Sequence, residues 1–129
     1  MKKIVVSIQN GLLAEAITAA LNDSGEFQPF RISVNNKKDQ VVGSCEMFSA
    51  DLVLMEVSYS SATSVETRLR EVKELRKAVP SCKIVFLCDE NSAPDIARDV
   101  TMAKKDGQID TFFYSSVTTK YLLAALSSL

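Results

Sequence analysis

Glu56 is the residue of this sequence best placed to do chemistry. The apolar run LVLM lies between Asp51 and Glu56, and Val57 and Ser58 follow. An unbroken apolar run is typical of a strand that is buried on both faces of a parallel sheet. Such a strand would bring Glu56 to the carboxyl edge, where open α/β sheets bind their ligands. The carboxylate could react there, bind a ligand or only hold a shape, and a solvent-facing Glu is the plain alternative.

The other reactive residue types exclude several classes of site. The chain has no His, which removes the commonest general base and any Ser-His or Cys-His nucleophile pair. Cys45, Cys82 and Cys88 have no metal-ligand spacing, and without His they cannot complete a common zinc site. We therefore predict no cofactor and no enzymatic activity, and we expect three reduced thiols in a cytoplasmic protein.

Length and charge limit the partners. The 129 residues fit one domain, 1–129, with 47% hydrophobic and 24% charged residues. The net charge is −1, and the 15 basic residues are dispersed among 16 acids, so we expect no direct binding of nucleic acid. No apolar run approaches the roughly 20 residues of a membrane span, and the amino terminus does not resemble a signal peptide.

Strand and helix patterns alternate five times along the chain, which predicts a parallel sheet between two layers of helices. Pro29 lies in the second strand pattern and therefore places that strand at an edge of the sheet. The predicted strands are Ile4–Ile8, Phe27–Val34, the run ending near Glu56, Ile84–Cys88 and Ile109–Phe113. The predicted helices are Leu12–Leu21, Val41–Phe48, Val65–Val79, Ile96–Ala103 and Val117–Leu126.

Capping and turn residues mark the ends of these helices. Thr63-Ser64-Val65-Glu66 has the form of a capping box before the third helix. A polar loop, Asn35 to Lys38, precedes the second helix, and Ser92 with Pro94 opens the fourth. The predicted stops are Gly25, Pro80 and Gly107.

This order of elements, with DLVLMEVS as the third strand, resembles the receiver domain of bacterial response regulators, the CheY-like fold. The resemblance covers the whole chain and rests on element order, on spacing and on the strand around Glu56, much less on catalytic motifs. It implies an α/β protein, a three-layer doubly wound (βα)5 flavodoxin-like sandwich. The implied parallel five-stranded sheet has the order 2-1-3-4-5, which agrees with Pro29 at an edge.

The resemblance also implies a set of site positions, most of them altered. Receivers carry a phosphoacceptor Asp at the position of Glu56, and they bind Mg²⁺ through an acidic pair and a backbone carbonyl. The acidic pair falls on Ile8 and Gln9, with Asn10 next, and the carbonyl belongs to Ser58. Because Mg²⁺ usually needs carboxylate or phosphate oxygens, we predict no metal at this degenerate acidic pocket.

The remaining family positions are altered as well. A hydroxyl residue at the end of the fourth strand becomes Cys88, and the Lys after the fifth strand becomes Ser115. Ser116 replaces the cis Pro that follows, and Phe112 takes the place of the switch aromatic, where plain core packing is an equal alternative. A shift by one residue would exchange Ser115 for Ser116 or Tyr114 without supplying a Lys.

Phosphoryl transfer depends on the placement of metal and cation around spread negative charge. We therefore predict a pseudo-receiver that works without phosphorylation as a protein-interaction or dimerisation module of two-component signalling. It could form the amino-terminal part of a transcriptional regulator. Its expected partner is a histidine kinase, an output domain or a second copy. The predicted interface residues, which could also be a solvated helix flank, are Lys104, Lys105, Phe113, Lys120 and Tyr121.

Three alternatives stay open. The charge of Glu56 could imitate a phosphorylated receiver, although a phosphate brings more charge and more acceptor oxygens. The chain could still accept phosphate with Asp89 or Asp51 as a replacement acid, with Asp51 expected at the wrong edge. It could also bind a small molecule, but the turn Ser7–Leu12 has a single Gly and matches no nucleotide fingerprint.

Overall fold

Five parallel strands form a single sheet in a computed structural model that describes residues 1–34, 40–89 and 94–129. The strands are β1 (Lys2–Ser7), β2 (Phe27–Ile32), β3 (Leu52–Val57), β4 (Lys83–Cys88) and β5 (Thr111–Tyr114). They lie in the order β2-β1-β3-β4-β5. The predicted α/β class, parallel sheet and strand order are confirmed.

Within the residues that the structure describes, five α-helices cover the two faces of this sheet. They are α1 (Gly11–Ser24), α2 (Gln40–Phe48), α3 (Val65–Ala78), α4 (Pro94–Lys105) and α5 (Thr119–Ser127). The core on one face is shared by α2, α3 and α4, and the core on the other face is shared by α1 and α5. No helix in the described ranges is long and apolar enough to cross a membrane.

The alternation of side chains along β3 determines where its last residues point. Val53, Met55 and Val57 enter the core of the α2–α3–α4 layer, whereas Leu52 and Leu54 enter the core of the α1–α5 layer. Because successive strand residues point to opposite faces, Glu56 faces the side of α1 and α5. By the same rule Ser7 of β1 faces the opposite side, that of α3.

Pro29 marks an edge strand, as predicted. It lies in β2, which pairs with β1 alone among the described strands, with Ile4 and Pro29 in register. Its neighbour Phe30 stacks on Phe48 of α2, with the ring centroids 4.0 Å apart. This ring pair fixes α2 against the edge of the sheet.

The predicted capping box at the start of α3 is wrong. Ser64, not Thr63, is the N-cap, and its hydroxyl accepts a hydrogen bond from the Thr67 amide at 3.2 Å. Thr63 lies in a 3-10 turn and is fully buried, with its hydroxyl bonded to that of Ser58. Its side chain is therefore already used by the turn after β3 and is not free to cap a helix.

The helix stops are confirmed, while the predicted ends of the strands move by one or two residues. Helix α3 ends two residues before Pro80, and Gly25 and Gly107 adopt the positive φ angles that favour glycine, 71° and 76°. Pro94 is the first residue of α4, as predicted. Ser92 and the loop Asn35 to Lys38 lie outside the described residues. The strand ends are set by backbone hydrogen bonds between strands, and they differ from the ends of the apolar patterns. A residue next to a strand can be buried without being paired to a neighbouring strand.

Candidate functional site

Glu56 holds the start of α1 through its carboxylate. Glu56 Oε1 accepts hydrogen bonds from the backbone amides of Gln9, at 2.8 Å, and Asn10, at 3.2 Å. These two residues connect β1 to α1, and Asn10 is the N-cap of α1, with its side-chain oxygen accepting from the Leu13 amide at 3.1 Å. An anion beside a helix N-terminus is favourable because the amides there point outward and carry partial positive charge. The carboxylate of Glu56 supplies that anion from within the chain.

A buried arginine, Arg68 of α3, lies below the same edge on the other face of the sheet. Only 1% of its side chain is exposed. Its Nε donates to the backbone oxygen of Glu56 at 2.8 Å, and one Nη donates to the backbone oxygen of Ser7 at 2.9 Å. The other Nη donates to the Ser7 hydroxyl at 3.0 Å and to Glu71 Oε1 at 3.1 Å. The guanidinium thereby joins the carboxyl ends of β1 and β3 to α3.

The charge of Arg68 is compensated nearby. Burial lowers the pKa of the Arg68 guanidinium, and the carboxylates of Glu71 and Glu56 act in the opposite direction. Arginine stays protonated in proteins, so the site holds a permanent cation next to two acids. A buried charge of this kind is tolerated only when its donors are satisfied, and four hydrogen bonds to three residues do this here.

Arg68 was not among the predicted site residues, although the helix pattern contains a signal for it. Arg68 stands four residues before Val72 and seven before Leu75, and both of these are buried members of the apolar stripe of α3. Residues at these spacings share one helix face. A charged residue on the apolar face of a helix needs a buried polar partner. The sequence therefore already indicated that Arg68 would be buried together with such a partner.

The turn after β3 is held by hydroxyl groups. Ser58 donates its amide to the backbone oxygen of Thr63 at 2.9 Å, and the two side chains are hydrogen bonded to each other. The Ser60 amide donates to the Ser58 hydroxyl at 3.3 Å. Ser58 is thus a structural residue of this turn, at the position where the resemblance implies a carbonyl ligand for Mg²⁺.

The positions equivalent to the family's acidic pair carry no acid and have other structural uses. Ser7 pairs with Met55 in parallel register. The residues that follow them, Ile8 and Glu56, therefore lie at the same level of the sheet. Ile8 is 2% exposed and belongs to the core under α1 and α5. Gln9 contributes its backbone amide to Glu56, and Asn10 adds the helix cap. In the described part of the chain, no group of three His, Cys, Asp or Glu residues could hold a metal ion.

Cys88 and Ser115, two of the positions that the resemblance singles out, lie next to each other at this edge. Cys88 pairs with Val57 of β3, and its backbone oxygen accepts from the Ser115 amide at 2.8 Å. Burial, with a smaller contribution from Asp89, raises the pKa of the Cys88 thiol to about 11. The thiol is therefore neutral near pH 7 and is a poor nucleophile and a weak donor. Among the described contacts, neither residue bonds to the Glu56 carboxylate.

The predicted interface residues surround the edge strand β5. Phe112 is partly buried against the core of the α2–α3–α4 layer, and Lys104 Nζ lies 5.9 Å from the centre of its ring. Tyr114 meets Phe112 edge-on at 5.7 Å. On the other side of the strand, Tyr121 meets Phe113 edge-on at 6.3 Å and is 63% exposed. Lys105 at the end of α4 and Lys120 in α5 are exposed.

The replacement acids proposed for a phosphate-accepting site lie where the sequence placed them. Asp89 follows β4 at the carboxyl edge. Asp51 precedes β3 at the amino edge, and its Oδ2 accepts from the Lys3 amide at 2.8 Å. Asp51 is thus at the opposite end of its strand from Glu56 and cannot share a site with it.

The comparisons with known proteins agree with the topology. No protein-family model and no curated protein matches the chain. Solved structures do match. A DNA-binding response regulator of the LuxR family from Staphylococcus aureus has a TM-score of 0.75 at 12% identity, covering 99% of this chain and 98% of that one.

Two further structures extend the comparison. The REC domain of AraT, a response regulator from Geobacillus stearothermophilus, has a TM-score of 0.74 at 10% identity, with 98% of this chain and 91% of that chain covered. The response regulator domain of Thermotoga maritima CheB has a TM-score of 0.68 at 11% identity, with 99% and 92% covered. The fold is therefore that of a response-regulator receiver domain, as the sequence resemblance implied.

Proposed function

We propose that this protein is a receiver that signals without phosphorylation and acts as a protein-interaction module rather than as an enzyme. The observation that carries the proposal is the use of the Glu56 carboxylate, which already binds the Gln9 and Asn10 amides at the start of α1. A carboxylate engaged in this way is not directed towards an incoming phosphoryl group. The backbone of the same residue is held from the opposite face by Arg68.

The charge pattern supports the same proposal. Attack on a phosphoryl group needs metal ions or cations close to the transferred oxygens. Ile8 and Gln9 supply no carboxylate at the level of Glu56, and the guanidinium of Arg68 lies on the other face of the sheet. The two charged side chains at this edge, Glu56 and Arg68, thus form hydrogen bonds to backbone amides and carbonyl oxygens of the chain itself. In the proposal, these internal bonds take the place of bonds to an external metal and phosphate.

A phosphodonor experiment tests the first half of the proposal. The protein is incubated with acetyl phosphate and Mg²⁺ and analysed by intact-protein mass spectrometry, beside a receiver with a complete acidic pair as positive control. We expect the positive control to gain one phosphoryl group and this protein to gain none. The Glu56→Asp variant should also gain none, because the acidic pair is still missing. A phosphorylated wild-type protein would refute the proposal and favour a rearranged acidic site.

The second half of the proposal concerns the surface that binds the partner. We assign it to the α4–β5–α5 face, defined as Lys104, Lys105, Phe113, Lys120 and Tyr121. Tyr121 supports this choice because aromatic side chains with a polar tip are enriched at protein interfaces. The partner is a histidine kinase, an output domain or a second copy, in the cytoplasm, and no contact with nucleic acid is part of the proposal.

Sedimentation velocity over a range of concentrations tests the homodimer form of this proposal. Tyr121→Ala should raise the dissociation constant of the dimer by about tenfold, the effect of roughly 1.4 kcal/mol. Leu12→Ala is the matched control, since Leu12 is 81% exposed and belongs to α1, which contributes no residue to this face as defined. A strict monomer at high concentration would exclude the second copy, and equal effects of the two variants would exclude the face.

The imitation of a phosphorylated state is a second candidate, favoured by one observation. Glu56 bears a fixed negative charge at the position equivalent to the phosphoacceptor, and its carboxylate contacts the loop that begins α1. The Glu56→Gln variant keeps an oxygen for this loop and removes the charge. An unchanged affinity for the partner, measured by titration calorimetry, would show that partner binding does not depend on the charge of Glu56.

A further inference from the structure

A small pocket lies beside the Arg68 network, between the start of α2, helix α3 and the carboxyl end of β1. Its volume is about 20 Å³, and its polar lining includes Ser7, Gln40, Arg68 and Glu71. One water needs roughly 10–15 Å³ of such space. The pocket therefore has room for one water and for little more.

Gln40 contributes a buried acceptor to this pocket. It is the first residue of α2, and its Oε1 atom is buried without a hydrogen-bond partner in the part of the chain that the structure describes. A buried polar atom without a partner costs free energy, and such atoms are rare in native proteins. The occupant of the pocket must therefore donate a hydrogen bond to this oxygen.

Arg68 and Ser7 contribute donors to the same pocket. The Arg68 side chain forms four hydrogen bonds, to Glu56, Ser7 and Glu71, and a guanidinium has one more N–H than these bonds use. The Ser7 hydroxyl accepts from Arg68, and among the described contacts its own proton has no acceptor. Both groups can donate to a bound molecule, whereas Gln40 Oε1 can only accept.

We propose that this pocket is a specific site for one bound water, which accepts from Arg68 and Ser7 and donates to Gln40 Oε1. The need for both kinds of bond selects water. An anion such as chloride only accepts, and ammonium only donates and would be repelled by the Arg68 guanidinium. Water does both, and a buried water typically makes about three hydrogen bonds.

The bound water extends the Arg68 network to a further helix. Arg68 joins the carboxyl ends of β1 and β3 to α3. Through the water, Gln40 and with it the start of α2 join the same network. The stack of Phe48 on Phe30 holds the other end of α2. The water and the ring pair thus hold α2 at its two ends.

Crystal structures of the wild-type protein and of two Gln40 variants test the proposal. We expect one ordered water within hydrogen-bond distance of Gln40 Oε1, Arg68 and Ser7 in the wild type. Gln40→Met, which has a similar length and no oxygen, should lack this water. Gln40→Glu should retain it, because an acceptor oxygen remains. A dry wild-type pocket, a water that does not contact Gln40, or a water that stays in place in Gln40→Met would overturn the proposal.

Urea denaturation provides a second test, because the sign of the effect depends on the water. If the water bonds to Oε1, Gln40→Met removes hydrogen bonds and lowers the urea midpoint. If Oε1 has no partner, the same change removes a desolvation cost and raises the midpoint.

Gln28→Met is the matched control for this measurement, since Gln28 is an exposed residue of β2, and it should leave the midpoint nearly unchanged. A midpoint of Gln40→Met equal to or above that of the control would contradict the proposal. If Gln40→Met fails to fold, judged by circular dichroism, the wild-type and Gln40→Glu crystal structures decide.

Discussion

The two ends of the sheet use carboxylates for the same task. At the amino edge, Asp51 accepts from the Lys3 amide at 2.8 Å, and Asp110 accepts from the Ile84 amide at 2.7 Å. Each carboxylate thereby satisfies a strand amide that the ladder leaves unpaired. At the carboxyl edge, Glu56 accepts amides of the β1–α1 connection in the same way. The residue at the position that the family resemblance equates with the phosphoacceptor thus forms the same kind of bond that Asp51 and Asp110 form at the other end.

The two edges differ in how their cations are buried. At the amino edge, Arg76 bonds Asp110 at 3.2 Å, and the two side chains are 35% and 24% exposed. At the carboxyl edge, Arg68 is 1% exposed and binds two strand ends together. Partly exposed ion pairs contribute little to stability, whereas removing one member of a buried network leaves unsatisfied groups. The carboxyl edge therefore depends on its cation far more than the amino edge does.

The largest expected effect is that of Arg68. Arg68→Met should lower the free energy of unfolding by about 3–5 kcal/mol, because it leaves two backbone oxygens, the Ser7 hydroxyl and Glu71 without this donor. Arg76→Met, the matched change at the amino edge, should lower it by about 1 kcal/mol or less. Urea denaturation measures both. Equal losses would remove the distinction between the two edges.

Glu56 should come next. Glu56→Ala should lower the free energy of unfolding by about 2 kcal/mol, because the Gln9 and Asn10 amides lose a charged acceptor. Glu56→Gln should lose about half of that, because one side-chain oxygen can still accept these bonds. Hydrogen exchange of the two amides, followed by NMR, should accelerate in the Ala variant. Unchanged exchange would show that the carboxylate does not hold the loop.

The thiols at the two ends of β4 differ in the sign of their pKa shifts. Because the folded state raises the Cys88 pKa from 9.0 to about 11, ionisation in this range favours the unfolded chain. The protein should lose about 1–2 kcal/mol of stability from pH 9 to pH 11 through this group alone. Cys88→Ala should show a smaller decrease over the same range in urea titrations. Parallel pH profiles of the two proteins would contradict this prediction.

The smallest effect is expected at Asp51. Asp51→Ala should cost about 1 kcal/mol, since a single exposed amide, that of Lys3, loses its acceptor. It should leave the binding of the partner unchanged, whereas Glu56→Ala should alter it. An equal effect of the two variants on the affinity for the partner would mean that the carboxyl edge has no special part in recognition.

Much of the fold followed from local patterns. The buried run before Glu56, the third helix and the edge position of Pro29 each depend on a few neighbouring residues, and each was predicted correctly. The capping box at Thr63 was not. A hydroxyl residue can cap a helix or close the preceding turn, and the tertiary contact with Ser58 decided between them.

The sequence by itself determined the α/β order, the carboxylate at the end of the third strand and the absence of a carboxylate at Ile8 and Gln9. Those properties depend on residue type and spacing along the chain. Only the tertiary structure decided what Glu56 and Arg68 do. Hydrogen bonds between residues about 40 to 60 positions apart require strands to be in register, and one sequence without relatives does not reveal that register.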